Sequence, residues 1–495
     1  MGRVVIGVTP FSYRVHMQPD FYLRSAHISI RHFLRPFTEM AWDYMAKRMV
    51  ESKTYRWYDE ATGIMYLPRY DLPRFENFLT SAGIEYRLHE IPCCSGAPID
   101  FKTPDWYAPR NDLQIGAIDS IVNGTDPMRG LALQPGAGKS SVSLVAASRL
   151  GRRFMIKTPI LLAQWEGVVN KFLIVEPDDV YVCSGSASIA RLISDCDKTI
   201  HPKVILASSQ TLLPYAKRLP PYDVFPPFTE FLNRINCGTV ITDEAHLFFH
   251  SNMIIDMQLN PAVAIPMSAT FEVTSKTLEP IYNGVYPPRI RWGEDKYERY
   301  VIVTSYTFDI PIAKIPKNEY RTFKGYNHTL YESDLLKKKP LLNRIIKDVY
   351  YPILQNEYFD YALPGEKLLI ICARTEMCAY LTKMLTKDFP NKKVAMFIGG
   401  TPESVKREND IIIATVKSSG VGFDVENLIT TFVTVAADSP PLNKQLLGRL
   451  RKIKDRRPRL AYASSRSIES HRKYNQTRRL IFPALALKFD QHHLG

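Results

Sequence analysis

Two short clusters in this chain carry side chains suited to handling a polyphosphate. One is Gln134-Pro-Gly-Ala-Gly-Lys139-Ser140-Ser141, the other Asp243-Glu244-Ala245-His246. Glycines at 136 and 138 allow backbone N–H groups to approach an anion closely, so Pro135, Gly136, Ala137, Gly138 and Ser141 are expected to wrap the phosphates. Lys139 then reaches the β- and γ-phosphates, and the Ser140 hydroxyl holds Mg²⁺. Of the two carboxylates, Asp243 is expected on the metal, directly or through water. Glu244 would polarise the water that attacks the γ-phosphate. About twenty residues before the loop stands Gln114, whose amide both donates and accepts as an adenine edge requires. The ligands these residues imply are ATP and Mg²⁺.

Such chemistry needs the loop between a strand and a helix, and the acids at the carboxyl end of a neighbouring strand. The loop follows the apolar run Arg129-Gly-Leu-Ala-Leu133 and precedes Val142–Arg149, which has helical spacing. The acids end the apolar run Gly238-Thr-Val-Ile-Thr242. Further strands are expected at Phe154–Thr158 and Lys203–Ser208, and Ala264-Ile-Pro-Met-Ser268-Ala-Thr270 comes after the acids. Apolar runs alternating with helical segments argue for a parallel sheet covered by helices. A second alternating region begins near Lys367 and carries no phosphate loop of its own. Two sheet domains with one such loop imply a nucleotide in a cleft with arginines supplied across it. The expected fold is α/β, two parallel-sheet lobes at 106–290 and 291–495, behind a small α+β domain at 1–105.

In that first segment two short strands are expected around Gly63, then a helix at Leu72 with proline in its first turn. Tyr55, Arg56, Trp57, Tyr58, Arg69, Tyr70 and Arg74 interleave rings with cations. The mix suits nucleic acid and suits a small core with a basic rim equally well. Residues 91–98 read as a linker.

The 495 residues are 45% hydrophobic and carry a net charge of +14. No run of 18 apolar residues occurs, so neither a membrane partner nor a signal peptide is expected. Seven scattered cysteines without a C-x-x-C pair fit buried thiols in a reducing, intracellular compartment and support neither a zinc site nor a disulfide framework. From Lys444 onward there are 14 Lys or Arg against three acids, a net +11. Such a block reads as a basic tail that contacts nucleic-acid phosphates.

Over about residues 106–460 the chain resembles the superfamily 2 helicases and translocases, and the matching segments stand in that family's order. They are Gln114, the phosphate loop, "TPILLAQW" (158–165), "ASSQTL" (207–212), the DEAH box (243–246), "SAT" (268–270), "LLIICARTE" (368–376), "ATVKSSGVGFD" (414–424) and "QLLGRLRK" (445–452). The resemblance implies two RecA-like lobes that close on ATP and step along nucleic acid. It implies nucleic-acid contacts from Pro159, Gln164, Trp165, Ser208, Gln210, Arg374 and Thr415. It places Gly422 and Asp424 along the cleft and Gln445 and Arg449 on the nucleotide, and it lets Ser268 and Thr270 couple hydrolysis to movement. Leu133 replaces the usual first glycine of the loop. The second arginine of the last motif falls at Lys452, with Arg451 adjacent as the alternative catalytic finger.

Compact size and the aromatic N-terminal domain look most like bacteriophage-type branch-migration helicases. Those remodel forks, Holliday junctions and R-loops in recombination, repair or replication, as monomers in the host cytoplasm. Recombination or replication proteins are the partners such a role implies. DEAH RNA helicases share the box but carry long C-terminal helical and barrel domains, for which the chain past residue 460 is short. RNA unwinding is the alternative, with a restriction-like translocase subunit behind it. A binding scaffold without ATPase activity is opposed by Lys139, Asp243, Glu244 and Arg449, and a small-molecule kinase by the second lobe.

Overall fold

The computed structural model describes residues 4–16, 33–43, 47–159, 162–196, 202–273, 277–322, 325–420 and 423–494. The chain divides into two compact units, Met1–Lys296 and Tyr297–Gly495.

In the first unit, strands β1 (Val4–Val8), β2 (Ser12–His16), β5 (Trp57–Asp59), β6 (Ile64–Pro68) and β7 (Tyr86–Glu90) form a five-stranded sheet in the order β5-β6-β2-β1-β7. A separate antiparallel hairpin joins β3 (Thr38–Asp43) to β4 (Arg48–Thr54). The β5–β6 turn passes through Gly63 at φ 67°, and the helix Leu72–Ser81 starts with Pro73 in its first turn. The ring-and-cation mix here is divided: Tyr58, Arg69, Tyr70 and Arg74 are exposed, and some members are tied into the core. Tyr55 is buried, Arg74 pairs with Asp71 at 2.7 Å, and its guanidinium lies 3.7 Å from the Phe33 ring centroid. This sheet shares a single core with the helices Phe249–Asp256 and Glu279–Val285. Val4, Ile6, Tyr13 and Leu67 cluster there with Phe249, Met253, Met257, Tyr282 and Tyr286. The Ser12 hydroxyl donates to Met257 O at 2.6 Å, and His250 Nε2 lies 3.0 Å from Thr54 O.

The second sheet of this unit is parallel: β10 (Val180–Cys183), β11 (Val204–Ser208), β9 (Phe154–Thr158), β12 (Thr239–Thr242) and β13 (Val263–Pro266), in that spatial order. Helices cover both faces, so β9, β11 and β12 are buried along their whole length and alternate residues feed opposite cores. Met155, Ile205 and Val240 join one core while Phe154, Ile156, Leu206 and Ile241 join the other. Beyond β13 lies β8 (Gly130–Leu131), bridged to it at Leu131–Met267 and paired with β14 (Arg291–Trp292). The loop-bearing strand therefore sits next to the strand after the acids, not next to the acid strand itself.

In the second unit seven parallel strands run in the order β19 (Val394–Phe397), β20 (Ile411–Thr415), β18 (Lys367–Cys372), β21 (Leu428–Val433), β22 (Arg459–Ser465), β15 (Ile302–Phe308), β23 (Lys488–His493). A small hairpin joins β16 (Arg321–Thr322) to β17 (Gly325–Tyr326). Both units are built on parallel sheets, and the protein is α/β with a small α+β sheet at its N-terminal end.

The expected basic tail is a correction. Strands β22 and β23 flank β15, and the helix Glu469–Leu485 joins them, so this segment is part of the sheet. Its cations are largely committed. Arg478 is 1% exposed, donates to Asn443 Oδ1 and Val435 O, and lies over the Tyr462 ring; burial pushes its pKa down to about 10. Arg456 pairs with Glu366 and Arg459 with Glu357. Among the described residues no helix is long and apolar enough to cross a membrane.

The segment expected as a linker is pinned to the first parallel sheet. Ala97 N donates to Asn236 O and Arg153 N to Ala97 O, at 2.8 and 2.9 Å. A Cβ on Gly238 would fall 2.1 Å from the carbonyl oxygen of Ser95, whereas one on the exposed helical Gly167 would meet nothing within 4 Å. Gly238→Ala should therefore lower the unfolding free energy in urea by about 1–3 kcal/mol through overpacking. Gly167→Ala should raise it by about 0.5–1 kcal/mol. Equal effects from the two would show that the close approach carries no strain.

Candidate nucleotide site

The site begins where β8 ends. The chain turns through Gly136 (φ 82°) and Gly138 (φ 90°), a left-handed region that favours glycine, and enters the helix Lys139–Arg149 with Gly138 as its N-cap. The first-turn N–H groups of a helix lack carbonyl partners within it and carry the positive end of its dipole. Lys139 Nζ donates to Leu133 O at 3.1 Å, folding the side chain back over the loop. Leu133 is itself a buried core residue, so the loop tolerates a side chain there in place of glycine.

Gln114 is held close to this loop. Its Nε2 donates to Ala137 O (2.8 Å) and its Oε1 accepts from Arg110 N (2.9 Å). Asn111 caps the helix Asp112–Val122 by accepting from Gln114 N. The expected adenine contact thus competes with a structural task, because the amide nitrogen already ties the loop down and the oxygen is held by Arg110 N. A Cβ at 138 would lie 2.4 Å from Gln114 Nε2 and 3.0 Å from Arg110 Nη2. Arg110 carries no motif that would single it out in the sequence; its proximity to the loop is a tertiary fact with no local signal.

The acidic pair stands at the end of β12. Asp243 N donates to Lys157 O and Ala245 N to Met267 O, both at 2.8 Å. Burial, then the neighbouring Glu244, pushes the Asp243 pKa up to about 6, while a hydrogen bond from Trp165 and the charge of Lys139 oppose the shift. Glu244 sits at φ 44°, left-handed for a residue with a side chain, a strained conformation of the kind that concentrates at functional sites. Its Oε2 is buried, makes no hydrogen bond, and lies 3.4 Å from His246 Nδ1. That nitrogen is also 2.8 Å from Ser268 Oγ, which donates to Thr270 O (2.6 Å) and accepts from Thr270 N (3.0 Å). With its proton given to Thr270, Ser268 can only accept from His246, so the Nδ1–H tautomer is required. Burial holds the His246 pKa below its usual value, so the ring is neutral at pH 7.

The donor set suits Mg²⁺. Ser140 and Asp243 offer one hydroxyl and one carboxylate, and no group of three His, Cys, Asp or Glu side chains among the described residues could cage a metal. Mg²⁺ keeps several waters and takes phosphate oxygens beside one or two protein ligands, whereas zinc and calcium need fuller protein shells.

The expected nucleic-acid residues separate into two groups. Gln164 and Gln210 are exposed. Trp165 is a correction: it is 3% exposed, packs in the core beneath the sheet, and donates its indole N–H to Asp243 Oδ2 at 2.8 Å. Pro159 is buried, and Ser208 caps the helix Ser209–Ala216. In the second unit Thr415 is buried, bonded to Ser418. The Arg374 side chain pairs with Glu376, and its backbone N–H donates to Glu332.

Of the cleft residues, Gly422 lies outside the described residues. Arg449 is a second correction to the expected nucleotide contact: it is buried, donating to Phe423 O (2.8 Å) and Gly420 O, so it holds the loop after β20. Arg451 pairs with Asp424 at 3.2 Å and Lys452 with Glu298, while Gln445 is half-buried on the helix Pro440–Leu447.

No protein-family model matches the chain, and no curated protein matches it. Among solved structures it is similar to the Hef helicase domain of Pyrococcus furiosus, at 15% identity over 75% of this chain and 98% of that one (TM-score 0.44). It is also similar to T4 UvsW, at 12% identity over all of both chains (TM-score 0.35), and to S. cerevisiae Dbp5 bound to RNA and ADP BeF3, at 11% identity over 77% and 90% (TM-score 0.48). At such identities and scores, function has to come from the site itself.

Because Asp243 takes up a proton near pH 6, protons and a divalent cation compete for it. The apparent Mg²⁺ affinity, measured by titration with nucleotide present, should be flat above about pH 7. It should fall by up to about tenfold per unit below about pH 6. Asp243→Asn should weaken binding and flatten the profile. An unchanged Mg²⁺ requirement between pH 7 and 5 would remove Asp243 from the metal.

Proposed function

We propose that this protein is an ATP- and Mg²⁺-dependent nucleic-acid motor that remodels branched DNA such as forks, Holliday junctions and R-loops. The observation that carries the ATPase part is the meeting of the glycine loop and Lys139 with Asp243 and Glu244 at the carboxyl ends of the two parallel strands that flank β13. In this proposal the first-turn N–H groups and Lys139 bind the phosphates, and Ser140 and Asp243 hold the cation, which supplies charge neutralisation on the transferred phosphoryl group. Glu244 Oε2, a buried acceptor without a hydrogen bond, takes the proton of the attacking water. Ser268 and Thr270 sense the outcome through His246. In the second unit Arg451 is half-exposed in its pair with Asp424, whereas the Arg449 guanidinium donates to two carbonyls.

The DNA half rests on the net charge of +14 and on the motif resemblance, including "QW" after the first lobe's second strand. Exposed Gln164, Gln210, Lys454, Arg457, Arg472 and Arg479 remain available for a phosphate backbone.

Lys139→Ala should abolish hydrolysis. Glu244→Gln should bind ATP but turn over about 10²–10⁴-fold more slowly, as expected for loss of a general base. Parent-rate hydrolysis by Glu244→Gln would reassign the base.

Hydrolysis should be stimulated more by forked or duplex DNA than by single strands or RNA at equal nucleotide concentration. Binding should weaken steeply with salt. Stimulation by RNA alone would overturn the DNA half and leave the ATPase half standing.

A further inference from the structure

The strongest feature that the assigned machinery leaves unused is the contact between Trp165 and Asp243. The indole N–H donates to Oδ2 at 2.8 Å, and the backbone N–H of Glu244 also bonds the carboxylate, so its orientation is set by the protein. The ring that makes this bond is fixed. It is 3% exposed and clusters with Leu144, Phe154, Val169 and Leu206, which lie on two helices and two strands. Tryptophan is costly to bury unless its N–H finds a partner, and here the partner is the carboxylate. The same helix, Leu162–Phe172, exposes Gln164 and Glu166 on either side of the buried ring. A displacement of its outer surface therefore passes to the carboxylate through one rigid side chain.

We propose that Trp165 is a positioning residue: it sets the orientation of the cation-binding carboxylate and ties that orientation to the helix that presents Gln164. The inference rests on the ATPase reading of the site. It adds that cation affinity and nucleic-acid stimulation share one physical link, and that the link is a hydrogen bond rather than packing alone.

Two variants separate the bond from the bulk. Trp165→Phe keeps an aromatic ring and loses the donor. Trp165→His loses the benzo ring, but its Nε2–H falls where the indole N–H was. Three readouts apply to the full chain: Mn²⁺ binding with ADP present, monitored by electron paramagnetic resonance; the ratio of DNA-stimulated to unstimulated hydrolysis with its Mg²⁺ dependence; and the urea unfolding midpoint. Trp165→Phe should weaken Mn²⁺ binding and raise the Mg²⁺ half-saturation by about tenfold, the size expected for one hydrogen bond to a charged group. Its stimulation ratio should fall, and the ATP KM at saturating Mg²⁺ should change much less. Trp165→His should keep the cation affinity closer to the parent despite a lower unfolding midpoint. The proposal is overturned if Trp165→Phe binds Mn²⁺ like the parent. It is also overturned if both variants lose affinity in proportion to lost stability, which would make the ring a packing element only. Absence of hydrolysis in the parent itself would instead remove the ATPase reading, an outcome distinguishable because Mn²⁺ binding is measured separately.

Discussion

Three backbone hydrogen bonds around β13 are the constraint on which the site depends. Ser268 N donates to Leu131 O, Met267 N to Thr242 O, and Ala245 N to Met267 O, at 3.0, 2.8 and 2.8 Å. They fasten the strand leading to the phosphate loop on one side and the acid strand on the other. Neither Lys139 nor Asp243 could be placed by its own element alone, since Lys139 opens a helix after the glycine loop and Asp243 stands at the open end of a short strand. A parallel sheet supplies this alignment because all its carboxyl ends lie along one edge, and that edge is where ligands bind in open α/β folds. The strained Glu244 and the Ser268–Thr270 turn both grow directly out of these three bonds, so the register of β13 sets the geometry of Glu244, Asp243 and Ser268 together.

Much of the fold was legible because buried parallel strands announce themselves. Phe154–Thr158, Val204–Ser208 and Thr239–Thr242 are apolar runs that end in hydroxyls or acids, and all of their residues are buried. The loop and the acidic pair were legible for a similar reason, since glycine at positive φ and paired carboxylates leave a local mark. Where the sequence misled, the missing information was tertiary. Net charge counts cations without showing their partners, so the segment after Lys444 looked like a tail although Arg456, Arg459 and Arg478 are tied into the second unit. Trp165 was expected at the surface because it stands in the matched segment "TPILLAQW" beside Gln164, which is exposed. On a helix, adjacent residues face 100° apart, and here that angle divides solvent from core. Arg449 looked like a finger on phosphate, but only the folded loop reveals two carbonyls within its reach.

The N-terminal sheet shows how far this dependence extends. Its contacts do not fall on an arbitrary side of the parallel sheet. They fall on the helix Phe249–Asp256, which leaves the acidic pair within a few residues. Tyr55 stacks on Phe249 with centroids 5.9 Å apart and meets His250 edge-on at 5.4 Å, while Ser12 and Arg14 bond the carbonyls of Met257 and Gln258 at the helix's far end. Both ends of that helix are therefore gripped. Cores at native density transmit displacement rather than absorb it, so a load on the N-terminal sheet must be borne by the backbone that carries Glu244 and His246. A small sheet attached through a flexible linker could not act this way; one that shares a core with the helix beside Asp243 and Glu244 can.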